Sequence, residues 1–218
     1  MAEPYFKLQN ISFSRPGFAP LFSELNFEVL KDETIGLIGG NGTGKTSLFH
    51  LMMGLLKPGS GEIIAFGKAC SSEDDFLAVR TQAGYLFQNS DDQLFCPTVE
   101  EDVSFGPLNL GLNHTKAKEI TMKVLSELGL SGFEKRITHH LSGGEKRLVA
   151  LASVLAMEPK VLLLDEPTTG LDELAYERLT DILKKLDISK VIISHDETFL
   201  SALTERTYRL KAGQLHLL

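Results

Sequence analysis

The sequence predicts an α/β fold: a mostly parallel sheet core, an antiparallel β layer from the N-terminal strands and an α-helical subdomain in the middle of the chain. Three observations carry this. Thr34–Ile38, Val161–Asp165 and Lys190–Ser194 are short runs dominated by aliphatic residues, the pattern of strands buried on both faces. Segments of helical composition separate them, so strand and helix alternate as in a parallel sheet covered on both sides. The first run also feeds straight into Gly39-Gly40-Asn41-Gly42-Thr43-Gly44, after which a helical stretch begins at Lys45.

Along the chain, alternation in Phe6-Lys7-Leu8 and in Leu25-Asn26-Phe27-Glu28-Val29 predicts half-buried strands joined through a Pro16-Gly17 turn. Lys45–Leu56 reads as a helix and Lys57-Pro58-Gly59-Ser60-Gly61 as a turn. Glu62–Phe66 is expected to be a strand, Glu73–Thr81 a short helix and Gly84–Gln88 another strand. Thr98 followed three residues on by Glu101 has the capping-box pattern, and Thr115–Leu128 is amphipathic. Ser142-Gly143-Gly144-Glu145 repeats that pattern ahead of an apolar helix reaching Met157, with Ser142 as N-cap. A helix from Asp172 places Ala175, Leu179, Ile182, Leu183 and Leu186 on one face. No repeat or long linker interrupts the chain. The expectation is one domain over residues 1–218, its core at about 1–89 and 158–218 and its helical subdomain at about 90–157.

Composition narrows the function. With 43% hydrophobic and 23% charged residues, 19 Gly and 8 Pro in 218 residues, the chain is neither disordered, collagen-like nor disulfide-stapled. The balance of 22 Lys+Arg against 29 Asp+Glu, a net charge of −7, argues against nucleic acid as the main partner. Cys70 and Cys96 read as small buried hydrophobes in a reducing compartment. The N-terminus lacks the basic and apolar regions of a secretory signal. The longest apolar run, Leu148–Met157, falls short of the roughly 18 residues that span a bilayer. The chain is expected to be soluble, and any membrane link to run through a partner.

Gly39-x4-Gly44-Lys45-Thr46 fits the phosphate-binding loop pattern in its required setting between a buried strand and a helix start. Glycines let backbone N–H groups wrap phosphates, and the helix N-terminus adds positive potential. Lys45 reaches the β- and γ-phosphates, and the Thr46 hydroxyl is placed to ligate Mg²⁺. The plain alternative, a chance glycine turn, does not account for both flanking elements. Val161-Leu162-Leu163-Leu164-Asp165-Glu166 sets two carboxylates at the carboxyl end of a buried strand, where ligands collect in open α/β sheets. Asp165 is a candidate Mg²⁺ holder, and Glu166 is placed to polarise an attacking water. Alone this would be a solvated acidic loop; beside the phosphate loop it is a site.

At these residues the chain resembles the ATP-binding cassette (ABC) family of transport ATPases, through motifs that span essentially its whole length. The most specific is Leu141-Ser142-Gly143-Gly144-Glu145, which matches the family's signature sequence. The resemblance implies that Ser142, Gly143, Gly144 and Glu145 grip the γ-phosphate of ATP held by the phosphate loop of a second subunit, here Gly39, Gly40, Asn41, Gly42, Thr43, Gly44, Lys45, Thr46 and Ser47. Two ATP molecules would then lie between two cassettes, a homodimer being self-consistent. Gln88, ending Tyr85-Leu86-Phe87-Gln88, is similar to the family's glutamine that senses Mg²⁺ and the attacking water and faces the membrane partner. Asp172 resembles the inter-subunit loop and serves equally as a helix N-cap. His195 resembles the switch histidine that hydrogen-bonds the γ-phosphate. By this likeness the catalytic set is Glu166, His195, Gln88 and Lys45, with Thr46, Gln88 and Asp165 on Mg²⁺.

Phe87-Gln88-Asn89-Ser90-Asp91-Asp92-Gln93-Leu94-Phe95, leading through Pro97–Val103 to Phe105-Gly106-Pro107, resembles the ATPases of energy-coupling-factor importers and of cobalt or nickel uptake systems. The implied role is hydrolysis of ATP on the cytoplasmic face of the membrane, powering uptake of such a metal ion or a vitamin such as biotin through integral-membrane subunits. Three positions depart from the family pattern. Arg15 stands where an aromatic residue stacks on adenine, leaving Arg15 itself, Phe13 or Phe18 to hold the base. Asp32 replaces a turn glycine and Gly40 a proline, neither of which is expected to abolish phosphate binding. The chain stops soon after its last predicted strands, so dimer contacts are expected chiefly through ATP. A rival reading is a soluble ATP-gated clamp on DNA or ribosomes; the net charge and the absence of a long coiled-coil insertion count against it. A regulatory subunit without turnover would not need both Glu166 and His195.

Overall fold

The computed structural model describes residues 3–218. β1 (Phe6–Ser14) and β2 (Pro20–Val29) alternate buried and exposed positions, so their hairpin has one apolar and one wet face. β3 (Thr34–Ile38) follows, then α1 (Lys45–Met52), β4 (Ser60–Ala65), β5 (Lys68–Cys70), α2 (Glu73–Arg80) and β6 (Ala83–Leu86). The middle of the chain holds α3 (Val99–Asn109), α4 (His114–Glu127) and α5 (Gly143–Leu155). The last third alternates β7 (Val161–Asp165), α6 (Glu173–Lys185), β8 (Ser189–Ile193) and α7 (Glu197–Leu203), and closes with β9 (Arg206–Lys211) and β10 (Gln214–Leu217).

Two sheets result. One is antiparallel, in the order β2-β1-β4-β5; the other runs β10-β9-β3-β8-β7-β6, parallel except for the β9–β10 pair. Every residue of β3, β7 and β8 is buried, as the aliphatic runs predict. Alternation along these strands feeds two apolar cores. Val161, Leu163, Val191 and Ile193 join the antiparallel sheet and α1 around Phe6, Phe22 and Phe49. Leu162, Leu164 and Ile192 face the other way, onto α5, α6 and α7 around Leu148, Leu179 and Phe199.

The expected capping boxes form at Thr98–Glu101 and Ser142–Glu145, and a third at Ser72–Asp75 starts α2. Several boundaries differ from expectation. The helix predicted to Leu56 ends at Met52, because Gly54 takes a left-handed conformation (φ 70°) with the Phe76 ring packed where a side chain would stand. The strand predicted over Gly84–Gln88 ends at Leu86, which releases Gln88 into the following loop. The helix predicted to Met157 ends at Leu155. Asp32 reproduces the turn glycine it replaces: it adopts φ 60°, and its N–H donates to Ser189 Oγ at 2.7 Å.

One buried cation ties the helical middle to the sheet. Arg147 on α5, 3% exposed, donates from Nη1 to the Phe87 carbonyl at 2.6 Å and from Nη2 to the Gln88 carbonyl. Arg147→Ala removes both charge-assisted bonds and is expected to cost about 2–4 kcal/mol in urea unfolding. An unchanged midpoint would show that this anchor carries no weight.

Candidate active site

The site forms where β3, β7 and β8 end side by side. Leaving β3, the chain passes so close to β9 that a Cβ on Gly39 would stand 2.7 Å from the Leu210 carbonyl oxygen. Thr43 Oγ1 closes the loop by donating to the Gly40 carbonyl at 2.9 Å. Gly44, at φ 107°, starts α1 without a side-chain cap, so the helix presents unpaired N–H groups there. Lys45 Nζ donates to the carbonyls of Gly39 (2.8 Å) and Gly40 (3.2 Å) and lies 3.4 Å from His195 Nε2. Burial pulls its ammonium below the usual lysine range, while Glu166 and Asp165 push it back up.

Asp165 ends β7 at 1% exposure. Its Oδ2 accepts from the Tyr85 hydroxyl at 3.2 Å, while its Oδ1 is buried with no hydrogen-bond partner. A buried carboxylate oxygen left unpaired beside the Thr46 position fits a divalent cation, which would satisfy it. Glu166 follows in a left-handed conformation (φ 46°), a strain of about 1–3 kcal/mol for a residue with a side chain. It is pinned by its N–H to the Ile193 carbonyl (2.9 Å) and by its Oε2, which accepts from the His195 N–H at 3.2 Å. His195 Nε2 lies 3.2 Å from Glu166 Oε1, so this imidazole stands between the carboxylate and Lys45.

These groups line one cleft of about 960 Å³. Arg15, Asn41, Gly42, Gly44, Lys45, Thr46, Ser47, Gln88, Asp165, Glu166 and His195 all face it. Gly39, Gly40 and Thr43 line instead a neighbouring depression of about 370 Å³ on the other side of the loop, which His195 also borders. The signature residues are elsewhere. Ser142 caps α5, its Oγ accepting from the Glu145 N–H (3.3 Å) while Glu145 accepts from the Ser142 N–H (2.8 Å). These bonds, with Arg136 at 2.9 Å, hold the Glu145 carboxyl below its usual range. Ser142 and Gly143 are exposed, and none of the four lines the cleft. A Cβ on Gly144 would stand 2.7 Å from Ala175 Cβ, so α5 begins in close contact with α6. Exposed Asp172 caps α6 through the Ala175 N–H at 2.8 Å.

At the position expected to hold adenine, Arg15 donates from Nη2 to Ser47 Oγ at 3.2 Å, which draws the guanidinium toward α1. Phe13 is unavailable to a base: it is buried in the first core against Phe22, ring centroids 6.3 Å apart. Phe18 stands 75% exposed at the cleft. Sequence reading missed Tyr85 as the partner of Asp165 and Arg147 as the anchor of Gln88. Tyr85 was visible in the Tyr85–Gln88 motif, but nothing local marks its reach to a carboxylate 80 positions on.

Comparison with known proteins places the chain in a family. A family model described as ABC transporter matches residues 22–169. The chain is 44% identical over 213 residues to the energy-coupling factor transporter ATP-binding protein EcfA of Methanothermobacter thermautotrophicus, covering 96% of this chain and 68% of that one. The solved structure of cbiO1 from Clostridium perfringens, part of the ABC transporter complex cbiONQ, superposes with a TM-score of 0.89 at 34% identity, over 99% of this chain and 88% of that chain. A dimeric ATP-binding cassette bound to ADP and Pi superposes at 0.86 and 25% identity, over 97% and 96%.

The two phenylalanines are expected to separate in their effects. Phe18→Ala should weaken ATP and ADP binding about five- to tenfold by calorimetry at unchanged stability, as loss of one stacking ring would. Phe13→Ala should instead cost about 3–5 kcal/mol of stability. Unaltered nucleotide affinity in Phe18→Ala would leave the base to Arg15.

Proposed function

This chain belongs to the ABC transporter family, and from that premise we propose that it is the ATP-hydrolysing subunit of an energy-coupling-factor importer, taking up a transition-metal ion such as cobalt or nickel, or a vitamin such as biotin. The observation that carries the reading is the division of the site. Lys45, Thr46, Gln88, Asp165, Glu166 and His195 share one cleft, while Ser142–Glu145 of the same chain lie outside it on an exposed surface. Such a chain holds two half-sites that a second copy completes.

In this mechanism the N–H groups at the start of α1 and the Lys45 ammonium take the β- and γ-phosphates, Lys45 exchanging its carbonyl partners for phosphate oxygens. Phe18, with Arg15, lies against the base. Glu166 accepts a proton from the attacking water, which adds in line to the γ-phosphorus as the bond to the ADP oxygen breaks. His195 donates to the γ-phosphate, and its backbone N–H keeps the Glu166 carboxylate aimed. Ser142 of the second copy supplies a further donor. Mg²⁺ would be held by Thr46 and Asp165 with Gln88 at its edge, and would offset phosphate charge. Catalysis is positioning and charge stabilisation, the usual economy of phosphoryl transfer.

The working complex is two such cassettes, most simply identical, on the cytoplasmic face of membrane subunits. None of the helices among the described residues is long and apolar enough to cross a membrane. The core and the helical stretch at about 90–157 act as one ATPase domain.

Glu166→Gln is expected to bind ATP as the unmodified chain does, to lose turnover by about two orders of magnitude or more, and to accumulate as an ATP-bound dimer in size-exclusion chromatography. Adding Ser142→Arg should dissolve that dimer while leaving monomer affinity unchanged. Near-normal hydrolysis by Glu166→Gln would remove it from the base role. For the transport assignment, the tagged chain recovered from detergent-solubilised host membranes should bring a multi-spanning protein in stoichiometric amount. Recovery with ribosomes or DNA alone would overturn the importer reading and leave the ATPase standing.

A further inference from the structure

Behind the end of β7 lies a hydrogen-bonded chain that the mechanism above does not use. Tyr85, on the neighbouring strand β6, donates its hydroxyl to Asp165 Oδ2 at 3.2 Å. The same hydroxyl lies 3.3 Å from Nε2 of His50 on α1. The phenol ring is held from three sides: edge-on to Phe49 with centroids 5.9 Å apart, edge-on to His50, and tilted against Phe87 at 4.6 Å. Because the hydroxyl's single proton is committed to Asp165, His50 meets the phenolic lone pairs as a donor, in its Nε2–H tautomer.

Among the described residues, Tyr85 is the one side-chain donor to the Asp165 carboxylate. The carboxylate is otherwise enclosed, and its Oδ1 is unpaired. Rotation about the terminal carboxylate bond is soft, so something must decide which oxygen is taken and which is left. We propose that Tyr85 is a positioning residue for the divalent cation that accompanies ATP: its hydroxyl holds Asp165 by Oδ2, leaving Oδ1 free for the cation, and His50 fixes that hydroxyl in place. The assignment rests on the ATPase reading above. It adds one link to it, since the chain His50–Tyr85–Asp165 joins the phosphate-loop helix to the carboxylate strand without touching the phosphate loop itself.

The test is a Mg²⁺ titration of the full chain, followed by binding of a fluorescent, non-hydrolysable ATP analogue. Tyr85→Phe keeps the ring and removes the hydroxyl. It is expected to raise the half-saturating Mg²⁺ concentration about tenfold, the size of effect seen when an outer-shell partner of a metal ligand is lost, with analogue binding in EDTA unchanged. His50→Leu should move the midpoint in the same direction, and His50→Gln, whose amide still offers a donor, should restore it. A Tyr85→Phe titration that overlays the wild type overturns the proposal. So does an equal loss of binding in EDTA, which marks general damage to the cleft. If the unmodified chain binds the analogue equally with and without Mg²⁺, this assignment falls alone; if it binds it in neither condition, the ATPase reading falls and takes this assignment with it.

Discussion

The site depends on the burial of β7 on both of its faces. Val161 and Leu163 belong to one core and Leu162 and Leu164 to the other, so a slip of one residue would exchange the two sets across the sheet. That register is strongly specified, and it delivers Asp165 and Glu166 to the sheet's carboxyl edge. The parallel pairing of β7 with β8 and of β8 with β3 sets His195 and the glycine loop at the same edge. The chemistry is thus assembled by apolar packing, with the polar groups carried to its rim.

What the packing brings together is electrostatically unfinished. Lys45 is 8% exposed, and burial opposes its charge while two carboxylates support it. Its ammonium is satisfied for the moment by loop carbonyls, neutral partners that an anion outcompetes. The buried, unpaired Asp165 Oδ1 atom and the uncapped start of α1 are complementary, one suited to a cation and the other to an anion. A nucleotide with a divalent cation, as proposed above, would supply both charges at once. The same cleft therefore explains why nucleotide and cation should bind together, each relieving a group the other leaves untouched.

The helical middle is joined to this edge through few but specific bonds. Arg147 reaches from α5 to the backbone on either side of the Phe87–Gln88 peptide, so the helix that begins at Ser142 and the loop that carries Gln88 share a cation. Movement of one must be felt by the other, or the cation loses its partners. Gly144 against Ala175 couples the same helix to α6 and hence to Asp172. A displacement of the Gln88 loop thus has a short physical route to the exposed surface that carries Ser142 and Asp172.

Much of this was legible in the chain. The glycine loop, the paired carboxylates after an aliphatic strand and the Ser142–Glu145 cap each depend on neighbours within a few residues. Backbone conformation, strand burial and helix capping are decided at that range. Those local rules predicted the α/β class, the glycine loop and the paired carboxylates, and the motifs built on them carry the resemblance to the family. Boundaries were less secure where packing intervened, as at Gly54 beneath Phe76 or at Leu86, where the strand stops short of Gln88. Only the tertiary structure decided that Phe18 and not Phe13 stands at the cleft, that the Ser142–Glu145 segment lies outside it, and that Tyr85 and Arg147 hold Asp165 and Gln88. These are distances between residues far apart in sequence, fixed by how two cores pack around one sheet, and no local pattern encodes them.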